Sequence, residues 1–503
     1  MLPKKLPIFY SAMLLTGVNL LLRFAGTSFQ VYLSGRIGAA GIGLLQLVMS
    51  VGNLSMVAGM GGIRTATMYL TAEELGRNSA KNVFWVLSTC FVYSILFSGA
   101  VSAGLFYFAP RIAESWIGDS RTASALRLYA AFLPVTCLCG VMIGYFTAAN
   151  RIGTLAAVEV AEQFCSMALT LAILTLWSGN DPARACMAVI LGSSLGGCLT
   201  LLCLMVLRLR EHAPRGVPIP VRSRLLRAAV PLALADDLKS GINTVENLMV
   251  PKRLALNPKV GSPLAAFGLV SGMVFPVMMF PAAILFGLTE LLIPELARCN
   301  AAGSKARIDY LVRKSLHVAL IYGITFCGLL ILLSDTLCLT LYGRADAARY
   351  LRWYSPLVPM LYCDAITDAM TKGLGQQKIC VRYNILTSFL DVVFLYILLP
   401  RYGMEGYFAS FLVTHVLNFG LSLNRLMKIT GIRIPVRVPA CSAVAMLFAV
   451  WTVSHLRGAA ARSAAYLLVL GSLLFLLGVL KRRDVIWVKG LLRKKDPTAG
   501  RGL

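Results

Sequence analysis

LLTGVNLLLRFAGTSFQVYLSGRIGAAGIGLLQLVMSVGNLSMVAGMGGIRTATMYLTAE, residues Leu14–Glu73, is two apolar runs around a short break at Ser34–Ala40. Each run is long enough to cross about 30 Å of hydrocarbon. Arg23 lies deep in the first run, where a charge costs at least about 2.5 kcal/mol unless it meets water or a partner. Gly41-Ile42-Gly43-Leu44 opens the second run and Gly62-Ile63-Arg64 closes it. A cation inside a glycine-marked helical hairpin is a candidate transport site.

The rest of the chain has the same character. Of 503 residues 58% are hydrophobic and 14% charged, with a mean hydropathy of +0.74. Soluble domains carry about a quarter charged residues, so this is an all-α polytopic membrane protein. The apolar run after Lys4 and Lys5 is too long for a signal-peptide core and reads as a retained first helix. A net charge of +26 would suit nucleic acid, but the basic residues sit in short loops and the tail, so topology explains them and a nucleic-acid partner is not expected. Thirteen cysteines are scattered singly with no C-x-x-C pair, which supports neither a metal site nor a disulfide framework.

The apolar pattern predicts about fourteen spans. They run over 7–33, 41–66, 82–109, 122–149, 152–177, 185–207, 226–254, 264–293, 309–334, 348–371, 380–400 and 405–427, then a final pair at 436–455 and 462–480. With the N-terminus in the cytoplasm, 32 of the 48 basic residues fall inside and 14 outside, leaving Arg23 and Lys239 in the membrane. That asymmetry predicts that both termini are cytoplasmic. The basic tail, residues 481–503, suits anionic membrane lipids.

The proline- and arginine-rich connection Arg208–Arg227 marks a boundary between two halves that look related. At an offset of 225, Gly43-Leu44 aligns with Gly268-Leu269 and Gly62-Ile63 with Gly287-Leu288. A longer first turn in the second half would bring Arg23 to correspond with Lys239. The expected division is an N-terminal lobe at 1–221, a C-terminal lobe at 222–430, a helix pair at 431–480 and a tail at 481–503. Paired six-span halves are a common transporter plan.

These residues resemble a known family. Asn19-x-x-x-Arg23-x-x-Gly26, Ile37-Gly38-Ala39-x-Gly41-Ile42-Gly43-Leu44, Gly62-Ile63 and Ala72-Glu73 are similar to the stage V sporulation protein B-like branch of polysaccharide transporters. That branch belongs to the multidrug/oligosaccharidyl-lipid/polysaccharide (MOP) flippase superfamily. Gly268-Leu269-x-x-Gly272-Met273-x-x-Pro276, the run Phe280-Pro281 to Glu295 and Lys372-Gly373-Leu374-Gly375-Gln376-Gln377 add to the likeness. Arg64 stands where that branch often carries proline. The resemblance implies fourteen spans in two pseudo-symmetric lobes around a central cavity. It implies a flippase of the bacterial cytoplasmic membrane that moves undecaprenyl-pyrophosphate-linked glycan or peptidoglycan precursor outward by alternating access, alongside envelope-synthesis enzymes. Arg23 matches a span-1 arginine that lines the cavity in related lipid II flippases.

Moving a diphosphate and sugars through hydrocarbon calls for a cationic, wet cavity. Substrate-binding candidates are Arg23, Arg64, Lys239 and Asn243. For Arg23 the alternative is a structural arginine bonded to helix-end carbonyls or paired with an acid on span 7. Asp236, Lys239, Asn243 and Glu246 follow 3-4-3 spacing, one stripe of span 7 facing a cavity; the alternative is an ion-pair ladder in which Asp236 holds Lys239. Intramembrane carboxylates are candidates for coupling to protons, sodium or the membrane potential. These are Asp236, Glu246, Glu159 beside Gln163, Asp364 with Asp368, and Asp391 on its own. No resident cofactor is expected.

An embedded glycan enzyme is poorly served. The first outer loop holds Arg36 but no acid, and neither H-E-x-x-H nor a phosphate-binding loop occurs. A multidrug exporter of organic cations is the alternative transporter, although a lone span-1 arginine would repel such cargo. A non-transporting envelope scaffold is a third reading.

Overall fold

The chain opens in a 53-residue helix, α1, Ile8–Met60. Straight, such a helix would be about 80 Å long, more than twice the thickness of the hydrocarbon core. It is interrupted at Gly38, whose φ of 68° and ψ of 179° favour a residue without Cβ. The sequence predicts a turn across Ser34–Ala40. The break is confined to this glycine instead, with helix on both sides, and the Ser34 hydroxyl stays within the helix by donating to the Val31 carbonyl at 2.7 Å.

In this computed structural model residues 8–76, 80–176, 181–210, 221–432, 435 and 437–480 are described. After α1 come α2 (Ile63–Gly76), α3 (Val83–Arg111), α4 (Ala123–Ala148), α5 (Ile152–Leu176), α6 (Pro182–Leu209) and α7 (Arg222–Leu254). Pro263–Leu269 (α8) continues through a π-helical turn at Val270–Val274 into Phe275–Met279 (α9), followed by Ala282–Ala301 (α10). Then follow α11 (Lys305–Tyr342), α12 (Ala345–Tyr354), α13 (Val358–Gly373), α14 (Gln377–Tyr402), α15 (Met404–Thr430), α16 (Arg437–Val453) and α17 (Ala459–Leu476).

Among the described residues there is no strand, and nine helical stretches are long and apolar enough to cross a membrane. A tenth is added if α8–α9 and α10, bent by 65°, form one span. Among the described residues each of the fourteen expected spans falls mainly on helix. α7 is left out of the nine because it carries Asp236, Asp237 and Lys239, and α16 because it has 17 residues. The chain is an all-α polytopic membrane protein. The centre of the proline-rich linker, 211–220, and the tail, 481–503, lie outside the described residues.

Two compact units divide the chain. One comprises Met1–Leu292 with Gln376–Asn418, the other Ile293–Gly375 with Phe419–Leu503. In the first, Ile63, Val86, Cys90, Phe146, Leu204 and Leu225 belong to one buried cluster, the close packing that TM helices use without a hydrophobic drive between them. In the second, α11 is held to α17 by the Tyr466 hydroxyl, which donates to the Ile324 carbonyl at 3.2 Å. A Cβ on Gly323 would sit 2.6 Å from the Pro359 Cα, so α11 and α13 touch at backbone distance.

Within the first unit α1 crosses α8 just as closely. A Cβ on Gly43 would strike the Leu264 carbonyl oxygen, and a Cβ on Gly268 would strike that of Ala39. Subtracting the repeat offset of 225 from Leu264 gives Ala39, and from Gly268 gives Gly43. The two contacts are therefore one contact seen from either side, the mark of an isologous, two-fold arrangement. The repeat read in the sequence meets itself at its own glycines.

Candidate functional site

A cavity of about 370 Å³ lies between α1, α2 and α7. Asn53, Arg64, Asp236, Lys239, Ser240 and Asn243 are among its lining residues. Local sequence explains how they meet. Gly61 and Gly62, at φ of 47° and 69°, break the chain between α1 and α2, and Arg64 follows at once. A Cβ on Gly62 would sit 2.5 Å from the Ala229 carbonyl oxygen, so α7 passes the break at backbone range. Further along, Thr244 donates to the Ser50 carbonyl at 3.1 Å and the Asn247 amide to the Ser50 hydroxyl at 2.9 Å. α7 is thereby pinned to α1, with Asp236, Lys239 and Asn243 turned to the cavity.

Four predicted residues, Arg64, Asp236, Lys239 and Asn243, thus share one site. Glu159 on α5 lies near enough to Arg64 for their charges to interact. No ion pair joins Asp236 to Lys239 among the described residues, so the ladder reading is not what the structure adopts, and both side chains line the cavity. Asn53 and Ser240 add amide and hydroxyl groups suited to phosphate or sugar oxygens. No sequence pattern singles them out, because their partner helices are distant in the chain.

Arg23 stands apart from that group. Its Nη1 donates to the Met279 carbonyl at 2.9 Å, and its guanidinium lies 4.9 Å from the centre of the Phe286 ring. Met279 ends α9, just before the bend into α10, where helix carbonyls lose their partners. Arg23 does not line the cavity that holds Lys239, so the structure gives it the helix-end bond anticipated as the alternative. Its side chain remains exposed, with donors left over.

Glu246 leaves the cavity assigned to its stripe. At 100° per residue it sits only about 20° around α7 from Lys239, but about 10 Å further along the axis. It is turned instead to α14, where its carboxyl hydrogen bonds that of Asp391. Asp391 is 4% exposed and accepts from Ser410 at 2.5 Å and Thr414 at 3.1 Å, both on α15. Tyr407 and His415 flank the pair, the His415 Nδ1 bonded to the Phe411 carbonyl at 2.9 Å. Asp391, expected to stand on its own, belongs to a buried carboxyl pair.

The remaining acids are engaged locally. In the second unit Asp368 pairs with Lys372 on its own helix at 2.6 Å, and Asp364 Oδ1 is buried. On the first unit Glu162 accepts from Thr200 at 2.8 Å, tying α5 to α6. Arg224 at the start of α7 spans Glu73 at 2.5 Å and the buried Glu74 at 2.8 Å, and Asn82 donates to Glu74 at 3.0 Å. Among the described residues no group of three or more His, Cys, Asp or Glu could hold a metal ion.

Comparison with known proteins gives the architecture its context. Residues 256–397 match the MatE family model. The chain is 21% identical over 446 residues to Stage V sporulation protein B of Bacillus subtilis, covering 86% of this chain and 85% of that protein. Its fold is similar to that of the lipid II flippase MurJ in an inward closed conformation, with a TM-score of 0.68, 13% identity, and 95% and 100% of the two chains covered. It is similar also to an inward-facing multidrug resistance MATE family transporter of the MOP superfamily, with a TM-score of 0.67, 13% identity, and 83% and 100% covered. Family model, sequence relative and fold point the same way: this multi-pass membrane chain is similar to stage V sporulation protein B over most of its length and shares the fold of solved flippases and transporters, none of them an enzyme.

Proposed function

We propose that this transporter is a flippase for a lipid-linked oligosaccharide or peptidoglycan precursor carried on undecaprenyl pyrophosphate, working by alternating access in the bacterial cytoplasmic membrane with both termini inside. The observation that carries this reading is the cavity holding Arg64 and Lys239 together with Asn53, Ser240 and Asn243. Two cations can neutralise a diphosphate there while amide and hydroxyl groups take sugar oxygens. Arg23, with free guanidinium N–H groups near the α9–α10 bend, is a further phosphate contact on the cargo's route. Glu246 and Asp391 would hold the coupling proton or sodium ion. The division into lobes at 1–221 and 222–430, a preference for anionic lipids and docking to envelope-synthesis enzymes complete the proposal.

The test is native mass spectrometry of the purified chain with undecaprenyl-pyrophosphate-linked glycans. Arg64→Ala and Lys239→Ala should each weaken retention about tenfold or more, the loss expected for one charge-assisted contact. Equal retention by wild type and both variants would remove the phosphate site from this cavity. The exporter of organic cations remains the second reading because Asp236 faces the same space. Retention of cationic amphiphiles without any lipid diphosphate would select it.

A further inference from the structure

The opposite side of α7 borders a second, larger hollow of about 700 Å³. Leu238, Val245 and Leu248 of α7 face Phe389 and Val392 of α14 across it, and Lys252 and Arg253 stand at one end with Trp116 and Tyr396. Leu238, Val245 and Phe389 are exposed, so the groove opens to whatever surrounds the chain. We propose that this groove is a binding site for a membrane phospholipid, one acyl chain lying along α7 and the phosphate at Lys252 and Arg253.

Length and charge carry the assignment. From Lys252 to Leu238 the helix rises about 21 Å, and one leaflet's share of the hydrocarbon is about 15 Å. A chain anchored at Lys252 ends near Ile242, short of Asp237 at the far end of the groove, whose Oδ1 is buried and unbonded. Lys252 gives one N–H to the Ser115 carbonyl and keeps two. The Arg253 guanidinium stacks on the Tyr396 ring, which fixes its plane and leaves its edge free for a phosphate. Trp116 and Tyr396 are the aromatic residues favoured at headgroup level.

The occupant is a phospholipid of the bilayer and not the transported lipid. A cargo diphosphate at Lys239 lies about 20 Å along the helix from Lys252 and on the other face of α7. One headgroup cannot reach both sets of cations. The site therefore stands whether or not the flippase reading holds.

The full chain would be placed in phosphatidylcholine vesicles with a trace of phosphatidylglycerol carrying a photoactivatable diazirine in one acyl chain. Label mapped by mass spectrometry should concentrate on Val245, Leu248 and Phe389. Lys252→Ala with Arg253→Ala should lower that label about tenfold, as the loss of a charge-assisted contact requires. Gly241 borders the groove, and a Cβ there meets nothing within 4 Å, so Gly241→Phe directs a ring into the open space and should also remove the label while thermal unfolding stays unchanged. Label spread evenly over the apolar surface, or indifferent to both variants, overturns the site. Displacement of the phosphatidylglycerol by undecaprenyl pyrophosphate at equal concentration overturns the phospholipid assignment in favour of the cargo chain.

Discussion

Glu246→Gln and Glu246→Ala separate the structural share of the buried carboxyl pair from its coupling share. Asp391 is 4% exposed and takes hydrogen bonds from Ser410 and Thr414 besides the one with Glu246. In Glu246→Gln the amide N–H donates to Asp391 permanently in place of the shared proton. The bond count is kept, and stability should change by no more than about 1 kcal/mol. In Glu246→Ala the bond is lost, a void opens and a buried carboxylate loses a partner, which should cost about 3 kcal/mol or more. Thermal unfolding in detergent reads these costs. Uptake into vesicles driven in turn by proton and sodium gradients reads coupling, and both variants should lose the dependence on whichever ion drives the wild type. Refutation has two forms: Gln as destabilising as Ala would deny the hydrogen-bonded pair, and Gln with wild-type ion dependence would deny its coupling role.

The other expectations are structural. Gly268→Ala and Gly43→Ala should each destabilise by about 1–3 kcal/mol, because α1 and α8 must part at a backbone contact. Their double mutant should fall short of the sum, since both act on one crossing, and unfolding curves showing strict additivity would separate the two contacts. Arg224→Ala should cost about 3 kcal/mol by leaving the buried Glu74 without its cation, whereas Glu73→Ala, at the more exposed arm, should cost less than about 1 kcal/mol. Asp346 sits between spans, and the hydrogen bond from Arg344 holds its carboxyl below the usual carboxylate range. A lowered folded-state value means stabilisation that is present above the unfolded value of about 3.9 and lost as pH falls below it. Asp346→Asn should therefore change unfolding by less than about 1 kcal/mol at pH 7 and flatten the acid limb of the stability profile below about pH 4.

What was legible in the sequence divides along physical lines. Span positions follow from hydropathy, which each segment reports by itself, whereas helix ends do not: α2, α10 and α11 run eight to ten residues past the expected limits in polar or amphipathic sequence. The repeat was legible because Gly43 and Gly268 are held to glycine by a backbone contact. Arg64, Asp236 and Lys239 could be chosen because charge in an apolar setting needs a reason, and Asn243 because it lies one turn from Lys239. What eluded the sequence are meetings between helices far apart in the chain. Nothing local says that Glu246 answers Asp391, 145 residues away. The 3-4-3 spacing puts Glu246 only about 20° around α7 from Lys239, and what takes it from the cavity is its place about 10 Å further along the helix, beside α14. Arg23 was drawn to Lys239 by the repeat, and the bend at Met279, with a free carbonyl to offer, lies outside any pattern of spacing.

In the proposed cycle α7 is where the two chemistries meet. It presents Lys239 to the polar cavity and, seven residues on, Glu246 to Asp391 on α14. Those seven residues span about 10 Å of helix, short enough for rigid transmission. While one proton or cation sits between the carboxyl groups, α7 is bonded to α14, and through Asp391 to α15. Removing it leaves two carboxylates in contact in a buried setting, where like charges repel strongly. The relief open to them is for α7 to turn or withdraw, and any such movement carries Lys239 with it relative to Arg64 on α2. The Arg224 bridge to Glu73 and Glu74 ties the first turn of α7 to α2, and the Thr244 and Asn247 bonds to Ser50 tie its middle to α1. In the proposed cycle a turn of α7 must therefore break the bonds to Ser50, and Lys239 and Glu246, seven residues apart on one helix, then move together.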